Sequence, residues 1–295
     1  MSRSLRRLLC AALAATVVTS AAGAAQTAAH HALWTVHGAR NTVYLLGSVH
    51  LLETRDSTLP AEMLSAYQHA DTLLMEVDPA DIAGGTANED VAPLTVLPEG
   101  RTLDSVIGRR LYAQVRLQAG RIGLGEDALK FAQPWYAANV IDIGMLMRSG
   151  FDPDAGVERQ LARLAQRDGK PIHALETAGQ QLGYFAAMPL ARQKGFLRDT
   201  LHDLPATVRE ARATVLAWKH GDVAAMERDL HQMSRRNGDL PSALVDERNR
   251  NWLPQIVELL DDERDCLVVV GSLHMVGDSG LLRLLEARGY RISQQ

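Results

Sequence analysis

The apolar positions of the chain fall into two kinds of stretch: short unbroken runs and longer segments with helical spacing. Residues 33–36 and 42–46 read as two strands joined by a loop of hairpin length, His37 to Asn41. Residues 60–69 open on a proline and carry Met63, Leu64 and Tyr67 at helical intervals. A second apolar run, 72–77, is stopped by Asp78 and Pro79, and residues 82–100, rich in Gly, Pro, Asn and Asp, read as a loop. The pattern turns helical over 103–148, where Pro134 and Trp135 begin a long apolar helix ended by Gly150. A helix near 154–167, closed by Gly169, leads into a short strand at 171–175. Residues 178–234 are mostly helical, with breaks expected at Met188-Pro189, Leu204-Pro205 and Gly221. A helix over about 242–260, an apolar run at 267–270, a helix at 281–288 and a strand at 290–292 complete the chain. Strands alternating with helices predict an α/β fold, a largely parallel or mixed central sheet flanked by helices, with a helical insertion. By length, 26–295 suits one large domain as well as two smaller ones, and it is read as one.

Two of the apolar runs end on nearly the same words. NTVYLLGSVHLL at 41–52 and DCLVVVGSLHM at 265–275 each carry a buried-strand pattern, then Gly-Ser, one aliphatic residue and a histidine. Glycine lets the backbone turn at a strand end, so His50 and His274 are expected to leave two strands at equivalent places. Either histidine alone is more often a hydrogen-bonded core or loop residue; the duplicated setting shifts the balance to function. Glu76 stands inside the run TLLMEV, where a carboxylate without a partner costs several kcal/mol. It needs a cation nearby or a proton of its own. Glu176 follows the strand at 171–175, a place where an acid also serves to cap the next helix. Arg248, on the helix after 242, is read either as part of a solvated face or as a group that grips a carboxylate or developing negative charge.

Composition narrows the setting. Arg3, Arg6 and Arg7 precede an eleven-residue apolar run at 8–18 and a small-residue stretch at 20–25, the layout of a secretory signal peptide and too short to span a bilayer. Residues 1–25 are therefore expected to be removed and the product to be periplasmic or secreted. The remainder carries 28 Lys+Arg against 35 Asp+Glu, a formal charge of −7, and lacks a basic patch with interleaved aromatics. Nucleic acid is disfavoured as a partner. Cys266 is the one cysteine left, so no internal disulfide forms and packing must supply the stability.

Open α/β sheets bind ligands beyond the carboxyl ends of their strands. His50, Glu76, Glu176 and His274 each end or nearly end a candidate strand, so their convergence on one cleft is the central expectation. Two imidazoles and a carboxylate are enough ligands for a divalent cation that lowers the pKa of a bound water to about 7. Without a metal, one histidine can take a proton from water while a glutamate orients its ring. A protein that sequesters a peptide, haem or metal without turnover, and a purely structural role for both histidines, are the remaining alternatives.

Taken together, YLLGSVHL at 44–51, LMEV at 74–77, Pro134-Trp135, GKPI at 169–172 with LET at 175–177, Trp218 before Gly221-Asp222, Arg248-Asn249, and VGSLH at 270–274 with Gly277 resemble the TraB/GumN family. That family also includes the pheromone-shutdown protein PrgY and the animal Tiki proteins. The resemblance covers almost the whole chain after residue 25. It implies a fold related to the erythromycin-esterase and ChaN-like proteins, with both Gly-x-x-His motifs and acids at a shared site. The chemistry it implies is uneven: Tiki proteins are described as metal-dependent peptidases, erythromycin esterases as metal-independent hydrolases with a histidine base, and ChaN-like proteins as haem-iron binders. Carried over, it implies an exported hydrolase acting on a peptide or small molecule, with His50, Glu76 and His274 holding a divalent metal cation, Glu176 assisting proton transfer and Arg248 positioning substrate.

Overall fold

The computed structural model describes residues 30–78, 81, 89–237 and 242–295; the expected signal peptide, 1–25, lies outside them. A six-stranded mixed sheet forms the centre. Its strands are β1 (Leu33–His37), β2 (Thr42–Ser48), β4 (Thr72–Met75), β6 (Ile172–Ala174), β7 (Cys266–Gly271) and β8 (Ile292–Gln294), in the order β6-β4-β7-β2-β1-β8. The short strands β3 (Leu52–Glu53) and β5 (Phe151–Asp152) pair separately. β2, β7, β4 and β6 pair in parallel, and β1 alone is reversed, pairing antiparallel with β2 on one side and β8 on the other.

The continuous apolar runs follow from that arrangement, because a parallel sheet is covered on both faces and has no polar side to encode. Cys266, Leu267, Val268, Val269 and Val270 are all buried, and full burial of one such side chain contributes roughly 1.5–3 kcal/mol. Cys266 is a small core hydrophobe whose thiol burial pushes up to about 12. On the sheet's flanks pack the helices Ala61–His69, Val157–Asp168 and Arg248–Leu260, with Trp218 and Trp252 fully buried beside them.

The helical insertion has a core of its own. Leu103, Val115, Ala138, Ile141, Leu197 and Leu204 meet where the helices Leu103–Ile107, Arg109–Arg121, Pro134–Arg148 and Leu190–Lys219 pack. The break expected at Leu204-Pro205 is absent: one helix runs through Pro205 from Leu190 to Lys219. Proline costs a helix about 3 kcal/mol, but here Leu197 and Leu204 bury one face and Thr207 donates to Asp142 of the neighbouring helix at 3.0 Å, so packing outweighs propensity. The helix expected over 242–260 begins instead as a π-turn, Ser242–Glu247, and becomes α-helical at Arg248. The last strand is displaced toward the C-terminus, Ile292–Gln294 in place of 290–292, because its register is set by pairing with β1.

Long-range ties fasten the insertion to the sheet. Trp218 Nε1 donates to the Gly47 carbonyl at 2.7 Å, and Arg212 grips the buried Glu53 carboxylate through Nε and Nη2 at 2.9 and 2.7 Å. Both ties land within three residues of His50.

Candidate functional site

The four parallel strands all point their carboxyl ends the same way, so the residues that follow them gather along one edge of the sheet: His50 after β2, His274 after β7, Glu76 after β4 and Glu176 after β6. The central expectation about position therefore holds. The equivalence of the two motifs does not. In the β2–β7 register Gly47 lies opposite Val270 and Ser48 opposite Gly271, an offset of one residue. Side chains on strands alternate with period two, so a one-residue offset gives two similar sequences opposite surroundings. After Gly271 the chain curls into a 3-10 turn, Ser272–His274, that buries His274; His50 is left with 64% of its side chain exposed.

The floor of the cleft is an ion cluster centred on Arg248, whose side chain is 7% exposed, as is that of Glu76. Its five N–H groups are all engaged. Nε donates to Glu176 Oε1 at 3.0 Å; Nη2 donates to Glu176 Oε1 and Glu76 Oε2, both at 2.6 Å; Nη1 donates to the Leu244 carbonyl at 3.0 Å and to His274 Nε2 at 3.1 Å. Below the guanidinium lies the Trp252 ring, 4.5 Å from Cζ to centroid, and Trp252 in turn packs on the His274 ring at 4.5 Å. An arginine so committed holds the acids in place; it has no N–H left with which to grip substrate.

Glu76 Oε1 accepts from the Gly271 amide at 2.6 Å, and Oε2 accepts from Gln181 at 2.9 Å as well as from Arg248. Burial works against its ionisation, but the charges of Arg248 and His50 and the Gly271 amide together hold the carboxyl well below its ordinary range. Glu176 is pushed up by burial despite its bonds to Arg248. His274 is pushed down to about 3, above all by burial, and is neutral. Its tautomer is fixed by its neighbours: Asn249 spends its amide N–H groups on the carbonyls of His274 and Ser279, leaving Oδ1 to accept from His274 Nδ1 at 2.7 Å. The ring's Nε2 is thus the lone pair that meets Arg248.

His50 belongs to a different local pair. Its Nδ1 lies 2.8 Å from Glu158 Oε1, which also accepts from the Ser48 hydroxyl, and the Glu158 carboxylate raises the imidazole to about 9. His50 Nε2 faces the cleft. A Cβ placed on Gly271 would stand 3.3 Å from Glu76 Oε1, 3.6 Å from His274 Cδ2 and 3.9 Å from His50 Nε2, so the glycine marks the point where the three converge.

Whether these donors suit a divalent cation is decided by what already occupies them. Both rings are held at Nδ1 with Nε2 toward the cleft, the orientation usual for metal-ligating histidines. However, His274 Nε2 is taken by Arg248, and Glu76 divides its oxygens among Gly271, Gln181 and Arg248. Among the described residues no three His, Cys, Asp or Glu side chains have metal-binding spacing. As arranged, His274 and Glu76 are already engaged by the guanidinium, the Gly271 amide and Gln181, so a cation would have to displace Arg248.

Glu158 and Gln181 were not among the residues the sequence singled out, and Asn249 entered only beside Arg248 in the family resemblance. Glu158 lies in the first turn of a helix and Gln181 in the short helix Ala178–Ala186, and neither interrupts an apolar run.

The fold and the cleft define an α/β protein with a polar centre at the carboxyl ends of its parallel strands. The chain belongs to the TraB/PrgY/gumN family, whose model matches residues 32–294. It is similar to two proteins each named "Uncharacterized protein YbaP". That of Shigella flexneri is 23% identical over 254 residues, 85% of this chain and 90% of the relative. That of Escherichia coli K12 is 23% identical over 245 residues, 82% and 87% of the two chains. No solved structure matches. Among the described residues no helix is long and apolar enough to cross a membrane.

Proposed function

We propose that this protein is a hydrolase of acyl bonds in a peptide or small-molecule ester, exported if residues 1–25 act as a signal, with His50 as the group that moves the proton of the attacking water. The observation that carries the reading is the meeting of His50 Nε2, Glu76 Oε1 and the His274 ring around Gly271, with His50 alone of the three open to solvent. The neutral form of His50 accepts the proton at Nε2, and the imidazolium returns it to the leaving group. Glu76 supplies fixed negative charge beside that imidazolium, which stabilises it as it forms. Arg248 keeps Glu76 ionised and in place, and Glu176 completes the neutralisation of Arg248.

A second reading retains a divalent cation on His50, Glu76 and His274, where it would supply Lewis-acid activation of water. The Nδ1 bracing of both rings favours it; it requires Arg248 to leave His274. Purified protein analysed for bound metal and assayed against a fluorogenic peptide mixture and p-nitrophenyl esters, before and after exhaustive chelation, separates the two. Activity that survives metal removal and disappears in His50→Ala supports the first reading. Activity lost on chelation and restored by a divalent ion replaces it with the second.

A further inference from the structure

An exposed imidazole is normally free to rotate about its side-chain bonds and, when neutral, to carry its proton on either nitrogen. His50 has neither freedom. Its Nδ1 lies 2.8 Å from Glu158 Oε1, and the Glu158 side chain is only 17% exposed. The same oxygen accepts from Ser48 Oγ, a hydroxyl buried at the end of β2. Behind this contact the two segments are fastened through their backbones. The Val157 amide donates to the Val49 carbonyl at 3.1 Å. Gly156, just before Glu158, approaches so closely that an added Cβ would fall 2.2 Å from the His50 carbonyl oxygen.

A surface ion pair would be worth only about 0–1 kcal/mol and would hold nothing firmly. The carboxylate here is sunk beside a buried serine, reached across a backbone contact that only glycine allows, and aimed at the nitrogen facing away from the cleft. We propose that Glu158 is the positioning residue for His50: it keeps the ring proton on Nδ1, assisted by Ser48, and points the Nε2 lone pair at the space beside Gly271. The proposal rests on the hydrolytic reading for its consequence in catalysis, but not for its consequence in the ring itself.

Two measurements keep those apart. Correlation spectra of 15N-labelled imidazoles, recorded at a pH where His50 is neutral, read the tautomer directly. Wild type is expected to carry the proton on Nδ1. Glu158→Ala moves most of the population to the Nε2–H form, and Glu158→Gln, whose amide oxygen still accepts, restores Nδ1–H. Persistence of Nδ1–H in the alanine variant, or its absence from wild type, overturns the proposal. With p-nitrophenyl acetate as probe, at a pH above 9 where His50 is neutral in both proteins, kcat of Glu158→Ala is expected to fall roughly 100-fold while KM stays within about twofold. A tautomer switch with kcat unchanged overturns the positioning role. Wild type no faster than His50→Ala removes the hydrolytic reading while the spectra still decide the tautomer. If the alanine variant does not fold, Ser48→Ala carries the test: the ring loses part of its Nδ1–H population and kcat falls about two- to tenfold at constant KM. An unaltered ring and rate overturn the proposal.

Discussion

Replacement of Arg248 by methionine keeps most of the side-chain volume and removes, among the described residues, the one arginine or lysine that bonds Glu76 and Glu176 directly. In the folded protein each of these acids is about 6–7% exposed and lies 2.6 Å from an Arg248 nitrogen. Breaking a buried ion pair from one side costs about 3–5 kcal/mol, because the other partner is left charged and unsolvated. For a domain of this size that lowers the unfolding midpoint by roughly 6–20 °C. The pH dependence is the sharper test. In wild type Glu76 is held below its ordinary pKa of 4.5, so its contribution is present above that pH and is lost as pH falls toward the folded value. Glu176, raised by burial, acts with the opposite sign: its contribution is present below 4.5 and is lost as pH rises. The two act in adjacent windows, so wild-type stability rises with pH up to about 4.5 and falls as Glu176 ionises above it. Without the guanidinium Glu176 loses the charge that offsets its burial and is raised further, while Glu76 keeps His50 and the Gly271 amide, but not Arg248, against its own burial. Stability must therefore fall more steeply as pH rises above 4.5. Urea unfolding at a series of pH values measures both the size and the slope. A loss under about 1 kcal/mol, or a variant whose stability above pH 4.5 falls no more steeply than that of wild type, refutes the account of the cluster.

The hydrolytic reading makes its own pH demand. With His50 raised to about 9, only ~1% of molecules hold the neutral ring at pH 7, so kcat/KM should climb about tenfold per pH unit from 7 to 9 and then level. An ascending limb centred at or below 6.5 would show that another group accepts the proton. Gly271→Ala sets a methyl 3.3 Å from Glu76 Oε1, where the backbone angles suit any residue but the space between His50 and Glu76 closes. It should cost about 1 kcal/mol in stability and reduce hydrolysis roughly tenfold or more, since a 1 Å displacement at a reacting centre can cost 10²-fold. Full activity in that variant argues that chemistry happens elsewhere.

The strand ends were legible because each is written locally. A run such as LVVV in β7 has one stable place, the middle of a covered parallel sheet, and the ionisable residue that ends the run is carried to the sheet's edge with it. Glu76 announced its need for a cation through the cost of burying a carboxylate in TLLMEV, and Arg248 meets that need across 172 residues of chain. Its partner could not be named from that cost, since any arginine or lysine brought near would have served. Pro205 misled because the cost of proline in a helix is a local quantity, and the packing of Leu197 and Leu204 that overrides it is not.

By itself the sequence determined most of the elements and the ionisable residues that follow β2, β4, β6 and β7, since these follow from interactions within a few residues of one another. The tertiary structure alone decided how those residues are used. A one-residue offset between two parallel strands exposes one histidine and buries its twin. The packing of the helix that begins at Arg248 sets a fully engaged guanidinium between Glu76, Glu176 and His274, and the helix that begins at Val157 brings Glu158 to the exposed ring. Register and helix docking are set by pairings between distant segments, and no short stretch of sequence carries that information.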